Sequence, residues 1–133
     1  MTVRVTWAPD MPPEVRAAAE PLLAPHLSRL PGWCADLIVR WGDASKNVAE
    51  MAPEQEYRRA VLIIGAAFLT DDPAERARTI AHEFAHVTLE PLYRVASDLV
   101  ERLPKAERAR AREVLRRANE ATTCDVGESW GTA

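Results

Sequence analysis

Residues 72–89, with the sequence DPAERARTIAHEFAHVTL, decide how this chain folds. The stretch opens with a helix start signal, because Asp72 stands before Pro73 and Glu75 follows three positions after Asp72. A capping residue, proline at the first helical position and glutamate at the third are the arrangement of a capping box. The stretch therefore predicts a helix from Pro73 to about Leu89.

The predicted helix has two different faces. At 100° per residue, His82 and His86 lie on one side and the apolar residues gather roughly opposite. We therefore expect the apolar side to pack into the domain and the histidines to face a cleft. Pro91 disfavours helical geometry at Glu90 and marks the expected end of the helix. The apolar side consists of Ala77, Ile80, Ala81, Phe84 and Val87.

The chemistry of this helix is carried by His82-Glu83-Phe84-Ala85-His86, an HExxH motif. Residues four apart share a helix face, so the two imidazoles can bind one zinc ion. Glu83 is offset from the metal and can hold a water molecule and take its proton. We predict that His82 and His86 bind Zn²⁺ and that Glu83 is the general base.

Outward from this helix, short alternating or β-branched runs predict strands, and a helical run predicts one earlier helix. The strongest strand candidate is 57–64, whose charged first half is typical of an edge strand. Residues 92–103 indicate a short helix or a structured loop. The order is strand, helix, three strands, helix, helix, which is an α+β domain. The other predicted elements are strands at 3–7, 34–41 and 48–51, turns at 42–45 and 53–55, and helices at 14–20 and 104–121.

Length and composition predict one domain. The chain has 133 residues, 47% of them hydrophobic, and a net charge of −3. We expect a single domain over 1–125 and a flexible tail over 126–133. The longest apolar stretch, 60–69, is about half of the ~20 residues that a membrane helix requires, so neither a transmembrane span nor a membrane partner is expected. With no secretory signal pattern at the start and no CxxC spacing for Cys34 and Cys124, a cytoplasmic protein with reduced thiols is expected.

The HExxH motif and the order of elements before it resemble the zincin metallopeptidases. The resemblance implies a minimal zincin-like domain: a small twisted mixed sheet of three or four strands, a backing helix, the HExxH helix and a C-terminal helix. It also implies endopeptidase-type hydrolysis of a peptide bond. A peptide or protein substrate would lie along the edge strand, expected at 57–64, by strand addition.

A catalytic zinc of this type needs a third protein ligand. Metzincins would have glycine at position 89 and histidine at position 92, whereas this chain has Leu89 and Leu92, which excludes that subclass. The resemblance is instead to gluzincins, in which a later helix supplies a glutamate; Glu120 matches it. The aspartate of that family element usually lies four residues later. Here that position is Cys124 and the aspartate is Asp125.

Alternatives to Glu120 stay open. Projected as a regular helix, Glu120 lies away from the apolar stripe, which favours a solvated surface glutamate. Asp125 is the second choice, either as ligand or as a group orienting a histidine. Tyr93 and Tyr57 are candidate donors to the oxyanion that forms on the carbonyl. The alternative for each is a tyrosine that only packs against its neighbours. His26, the remaining histidine, is expected to lie at the surface or in the core and not to bind the metal. The lesser candidates for the third ligand are Glu90, Asp98, Glu101 and Cys124.

A second function class is a catalytically inactive zincin-like module that binds a protein or nucleic acid. The segment 105–117 has 6 basic residues against Glu107 and Glu113, a local charge of +4 in a chain of −3. A solvated helix face is the ordinary explanation of such a run. Attraction of an acidic partner or nucleic acid is the alternative.

Overall fold

The structure is a computed structural model that describes residues 2–42 and 48–131. It confirms the α+β class and the predicted order of strands and helices. Of the turn predicted at 42–45, residues 43–45 lie outside the described residues. The elements are β1 Arg4–Trp7, α1 Pro13–Leu27, β2 Asp36–Trp41, β3 Ala49–Glu54, β4 Arg59–Ile64, α2 Pro73–Glu101 and α3 Lys105–Gly131, with 3₁₀ turns at Gln55–Tyr57 and Ala66–Thr70.

The four strands form one mixed sheet in the order β1-β2-β4-β3. β2 pairs in parallel with β1 and with β4, and β3 pairs antiparallel to β4. The prediction that 57–64 is an edge strand is wrong, because β4 is paired on both sides. Its apolar run is the reason: Ala60, Val61, Leu62 and Ile64 are all buried. The edge beside the HExxH helix is β3, which alternates buried and exposed residues as an edge strand does.

One hydrophobic core joins the sheet to α1 and α2. Its largest fully buried side chains include Phe68, Phe84, Leu37 and Leu62. α1 is the predicted backing helix and continues through Pro21 and Pro25 to Leu27. The core also takes in Ile64, Ile80, Val15, Val39 and Val87.

α2 is longer than predicted. It passes through Pro91 and ends at Glu101, so 92–103 contains neither a separate short helix nor a long loop. Proline at position 91 removes the donor for the Val87 carbonyl, but packing against α3 keeps the chain helical. α2 and α3 form a helical hairpin. Within the described residues, none of the helices combines the length and the apolar character needed to cross a membrane.

The prediction of a flexible tail at 126–133 is wrong for 126–131, because α3 continues as helix to Gly131. Residues 132–133 lie outside the described part of the chain. Residues 126–131 are held as helix because Trp130 packs against the core. Its ring lies 6.1 Å from that of His26, and the Arg29 guanidinium lies 5.3 Å from the Trp130 centroid. The single domain therefore does not end at residue 125.

Candidate metal centre

The start and the buried face of α2 set the direction of the histidines. The Asp72 side chain accepts a hydrogen bond of 2.8 Å from the Glu75 backbone N–H, which confirms the predicted cap. The side chains of Ile80, Ala81, Phe84, Ala85 and Val87 are buried. His82 and His86 are therefore left on the opposite side, with side-chain exposures of 24% and 25%.

Glu120 of α3 meets the two histidines. His82 Nε2 lies 3.1 Å from Glu120 Oε1, and His86 Nε2 lies 3.9 Å from Glu120 Oε2. One ligand atom from each of the three residues falls within 4.8 Å of the others. Donors of a tetrahedral zinc at ~2.1 Å lie about 3.4 Å apart, so this set of two nitrogens and one oxygen fits zinc with little rearrangement.

Cys124, not Asp125, takes the place beside His82. The Cys124 Sγ lies 3.7 Å from His82 Nδ1, whereas Asp125 is exposed and is not a member of the group of three. The reason is helical geometry, because residues four apart share a face and residues five apart point about 140° away. The structure thus corrects the role considered for Asp125. Either atom of the Cys124–His82 contact can be the donor, depending on the histidine tautomer; the tautomer that binds a metal through Nε2 carries its proton on Nδ1, the nitrogen that faces the sulfur.

Glu83 faces the edge of β3. Its Oε2 accepts a hydrogen bond of 2.7 Å from the Met51 backbone N–H. Burial raises the pKa of Glu83 to about 7, with smaller contributions from Glu120 and Glu50, while the bond from Met51 opposes the rise. A carboxylate whose pKa is near neutrality suits a group that both takes and returns a proton.

His86 is held in the neutral form that metals bind. Burial lowers the pKa of His86 most strongly, and the neighbouring His82 lowers it further. The Glu120 carboxylate acts in the opposite direction. Because a metal needs the unprotonated imidazole, this shift favours metal binding at neutral pH.

A cleft of about 490 Å³ lies between β3 and the α2–α3 pair, and His82, Glu83, His86 and Glu120 line it. Tyr93 and Glu90 line the same cleft, the latter with a pKa raised by burial. A second cavity of about 360 Å³ adjoins it on the other side of His82, lined by Arg78, Glu75 and Cys124 among others. The candidate centre is therefore open to solvent in two directions along β3.

The other candidates lie apart from the three donors. Tyr57 is 63% exposed, and the Arg59 guanidinium lies 5.0 Å from the centroid of its ring. Asp98 is exposed, and Glu101 forms an ion pair with Arg112. His26 is buried in the core, where its ring lies 5.2 Å from that of Phe84 and burial lowers its pKa.

Gly127 is a residue of the site that sequence reasoning missed. A Cβ atom at position 127 would lie 2.8 Å from the Cα and 3.0 Å from the backbone nitrogen of His82. The glycine therefore lets α3 touch α2 at the first histidine. The available signal was an isolated glycine inside a helical pattern, which often marks close packing. The predicted flexible tail over 126–133 includes Gly127, so the prediction gives it no place in the site.

Much of the basic charge at 105–117 is engaged within α2 and α3. Arg112 pairs with Glu101, and Arg116 and Arg117 both pair with Glu113. Arg108 donates to the backbone carbonyl of Leu103. This arrangement is typical of a solvated helix surface with neighbouring ion pairs.

Comparison with protein-family models, with curated proteins and with solved structures gives no match for this chain. The geometry of the centre alone therefore bears on function.

Proposed function

We propose that the protein is a zinc-dependent metallopeptidase of the endopeptidase type. The observation that carries the proposal is the convergence of His82, His86 and Glu120 donors within 4.8 Å, next to the Glu83 carboxylate. Three protein ligands leave one coordination position open, as catalytic zinc sites do. Bound zinc supplies Lewis acidity and lowers the pKa of a coordinated water.

Glu83 is the proton carrier of this proposal. Because the Met51 N–H holds Oε2, the other carboxylate oxygen, Oε1, is left to accept a proton from the attacking water. The same carboxylate then returns the proton to the leaving amine. Tyr93, on the wall of the cleft, is the proposed donor to the oxyanion that develops on the carbonyl.

The proposed substrate is an extended polypeptide along the outer edge of β3, not along 57–64. β3 is the sheet edge that lines the cleft. Glu83 occupies the Met51 N–H and Pro53 has no N–H, so an added strand would pair mainly with the outward main-chain carbonyls of β3. A cytoplasmic location belongs to this proposal, because Cys34 and Cys124 are both free thiols and free thiols are typical of a reducing compartment.

The metal is tested first. Protein purified without added metal should carry about one zinc per chain by elemental analysis. His86→Ala should remove it, and Glu120→Gln should weaken zinc binding about tenfold or more. Asp125→Asn is the matched control on the same helix and should leave zinc affinity unchanged. Absence of zinc binding in metal-replete medium would refute the proposal.

Catalysis is tested separately. Glu83→Gln should keep the zinc and the fold, because glutamine retains an oxygen for the Met51 N–H. Hydrolysis of unstructured polypeptides should fall by about 10²–10⁴-fold, the range of a lost general base. Undiminished hydrolysis by this variant would remove Glu83 from its role. A zinc-loaded wild-type protein with no hydrolytic activity on any polypeptide would favour the inactive binding module.

A further inference from the structure

Exposed apolar side chains are concentrated on the α2–α3 hairpin. Among the described residues, five large apolar side chains are exposed, and four of them lie on these two helices. They are Leu92 at 71%, Val95 at 59%, Leu99 at 56% and Val114 at 60%; the fifth is Tyr57, in the 3₁₀ turn after β3. Exposed apolar groups that gather in one place, unlike scattered ones, indicate an interaction surface.

The four side chains share one side of the hairpin. Val95 and Leu99 follow Leu92 by three and seven residues, so they lie on its side of α2. Leu92 lines an apolar crevice of about 220 Å³, and Val114 lines an apolar groove of about 720 Å³. Leu115 lines both, so the crevice and the groove lie on the same side of α3. We call this surface the hairpin face; its residues are Leu92, Val95, Leu99, Leu103, Val114 and Leu115.

The hairpin face is turned away from the candidate metal centre. Glu120 is five residues from Leu115 on α3 and therefore points about 140° away from it. A partner on the hairpin face would leave the cleft beside β3 open.

Charged groups of both signs border the hairpin face. Glu107 and Arg110 line the groove, and neither forms an ion pair with another described residue. Asp98 and Arg102 lie beside Val95 on α2, are exposed, and likewise have no ion-pair partner in the part of the chain that the structure describes. A nucleic acid would select a border of positive sign only. A border with both signs is complementary to its own copy, because a two-fold axis places residue i opposite j and j opposite i.

We propose that the hairpin face binds a second copy of this chain, so that two α2–α3 hairpins form a four-helix bundle with two-fold symmetry. One helical hairpin is half of such a bundle and leaves a side of both helices uncovered. The apolar side chains of the hairpin face form the centre of the contact, and the charged border sets the orientation of the two copies. This inference is independent of the proposed peptidase function.

The size of the hairpin face sets the strength of the dimer. From residue 89 to residue 103, α2 rises about 21 Å, and two packed helices are about 20 Å wide. The faces of two copies therefore have a projected area of about 850 Å², close to the ~1,000 Å² that a specific interface needs. We expect a weak dimer with a dissociation constant of about 1–100 μM.

Sedimentation equilibrium of the full chain measures the association directly. Between about 1 and 500 μM protein, the weight-average mass should rise from that of one chain towards that of two. A protein that stays monomeric over this whole range would overturn the proposal.

Val114→Glu and Tyr57→Glu form a matched pair of variants. Both side chains are exposed, at 60% and 63%, and only Val114 belongs to the hairpin face. Val114→Glu should weaken dimerisation about tenfold or more, because it places a charge in the centre of the contact. Tyr57→Glu should leave the dissociation constant unchanged. Equal dissociation constants for the two variants would overturn the assignment of the contact to the hairpin face.

Two charge-inversion variants test whether the partner is a second copy. Glu107→Arg gives a groove border with two guanidinium groups, and Arg110→Glu gives one with two carboxylates; both side chains are exposed, so the fold should be retained. Each variant alone should dimerise about tenfold or more weakly than wild type, because like charges face each other. An equimolar mixture should regain dimers, since opposite charges meet again. A mixture as monomeric as the separate variants would overturn the proposal.

Discussion

Replacing Gly127 by alanine tests whether the close approach of α3 to α2 builds the metal centre. The added Cβ would stand 2.8 Å from the His82 Cα. Non-bonded carbons prefer about 3.5–4.0 Å. Because the obstacle is backbone, no side-chain rotation relieves the contact, and the two helices must separate by about 0.7 Å or more at this level.

Two opposing energies set the effect on folding. Overpacking of a buried contact costs about 1–3 kcal/mol, whereas alanine is favoured over glycine in a helix by about 1 kcal/mol. The free energy of unfolding should therefore fall by about 1 kcal/mol, or about 4 °C in Tm. The effect on the site is larger, because Glu120 is two helical turns from Gly127 on the same face. Metal sites tolerate only about ±0.2 Å, so zinc affinity should fall about tenfold or more.

Urea unfolding of the metal-free protein measures the first effect, and competition with a zinc chelator measures the second. Gly32→Ala is the control, because a Cβ at Gly32 meets nothing within 4 Å; it should change stability by less than about 0.5 kcal/mol and leave zinc affinity unchanged. If Gly127→Ala matches Gly32→Ala in both measurements, the helix contact is not what positions Glu120.

Three further changes have definite expected outcomes. Asp72→Ala removes the cap of α2 and should lower the free energy of unfolding by about 1 kcal/mol in urea, with Asp71→Ala as control. Cys124→Asp places a stronger acceptor beside His82 Nδ1 and should raise zinc affinity about tenfold by chelator competition. A weaker or equal affinity would show that the side chain at position 124 does not orient His82. In metal-free protein, the pKa of Glu83 rises from 4.5 to about 7 on folding, so ionisation opposes folding increasingly from pH 4.5 to 7. Glu83→Gln should thus unfold with a free energy up to about 3 kcal/mol higher than wild type at pH 8 and equal below pH 4; a constant difference would refute the burial of this carboxylate.

Local sequence signals predicted those features of the fold that depend on residues close together in the chain. The cap at Asp72 and the apolar side of α2 follow from neighbouring residues, and both are confirmed. The same reasoning failed at Pro91, because packing of α2 against α3 outweighs the intrinsic preference of proline. It failed again at β4, where a charged first half indicated an edge although the apolar second half is buried between two strands.

The residues of the candidate centre also fall into two groups, those that the sequence predicts and those that depend on tertiary packing. His82, Glu83 and His86 follow from spacing on one helix, whereas Glu120 depends on how α3 crosses α2, which a helical projection of α3 alone does not contain. The projection placed Glu120 in solvent, and it is indeed 52% exposed, yet it faces the imidazoles at the rim of the cleft. Cys124 and Met51 could not be assigned their contacts with His82 and Glu83, because each contact joins elements far apart in the chain.

The donors of the proposed centre come from two helices, two nitrogens from α2 and one carboxylate from α3. A metal held by both helices is a cross-link across the hairpin that exists only in the folded chain. By mass action, free zinc at about 1,000 times its dissociation constant would then stabilise the protein by about 4 kcal/mol. Zinc occupancy would be visible as a shift in the melting temperature, with no substrate present, and chelators would lower the resistance of the α2–α3 pair to proteolysis.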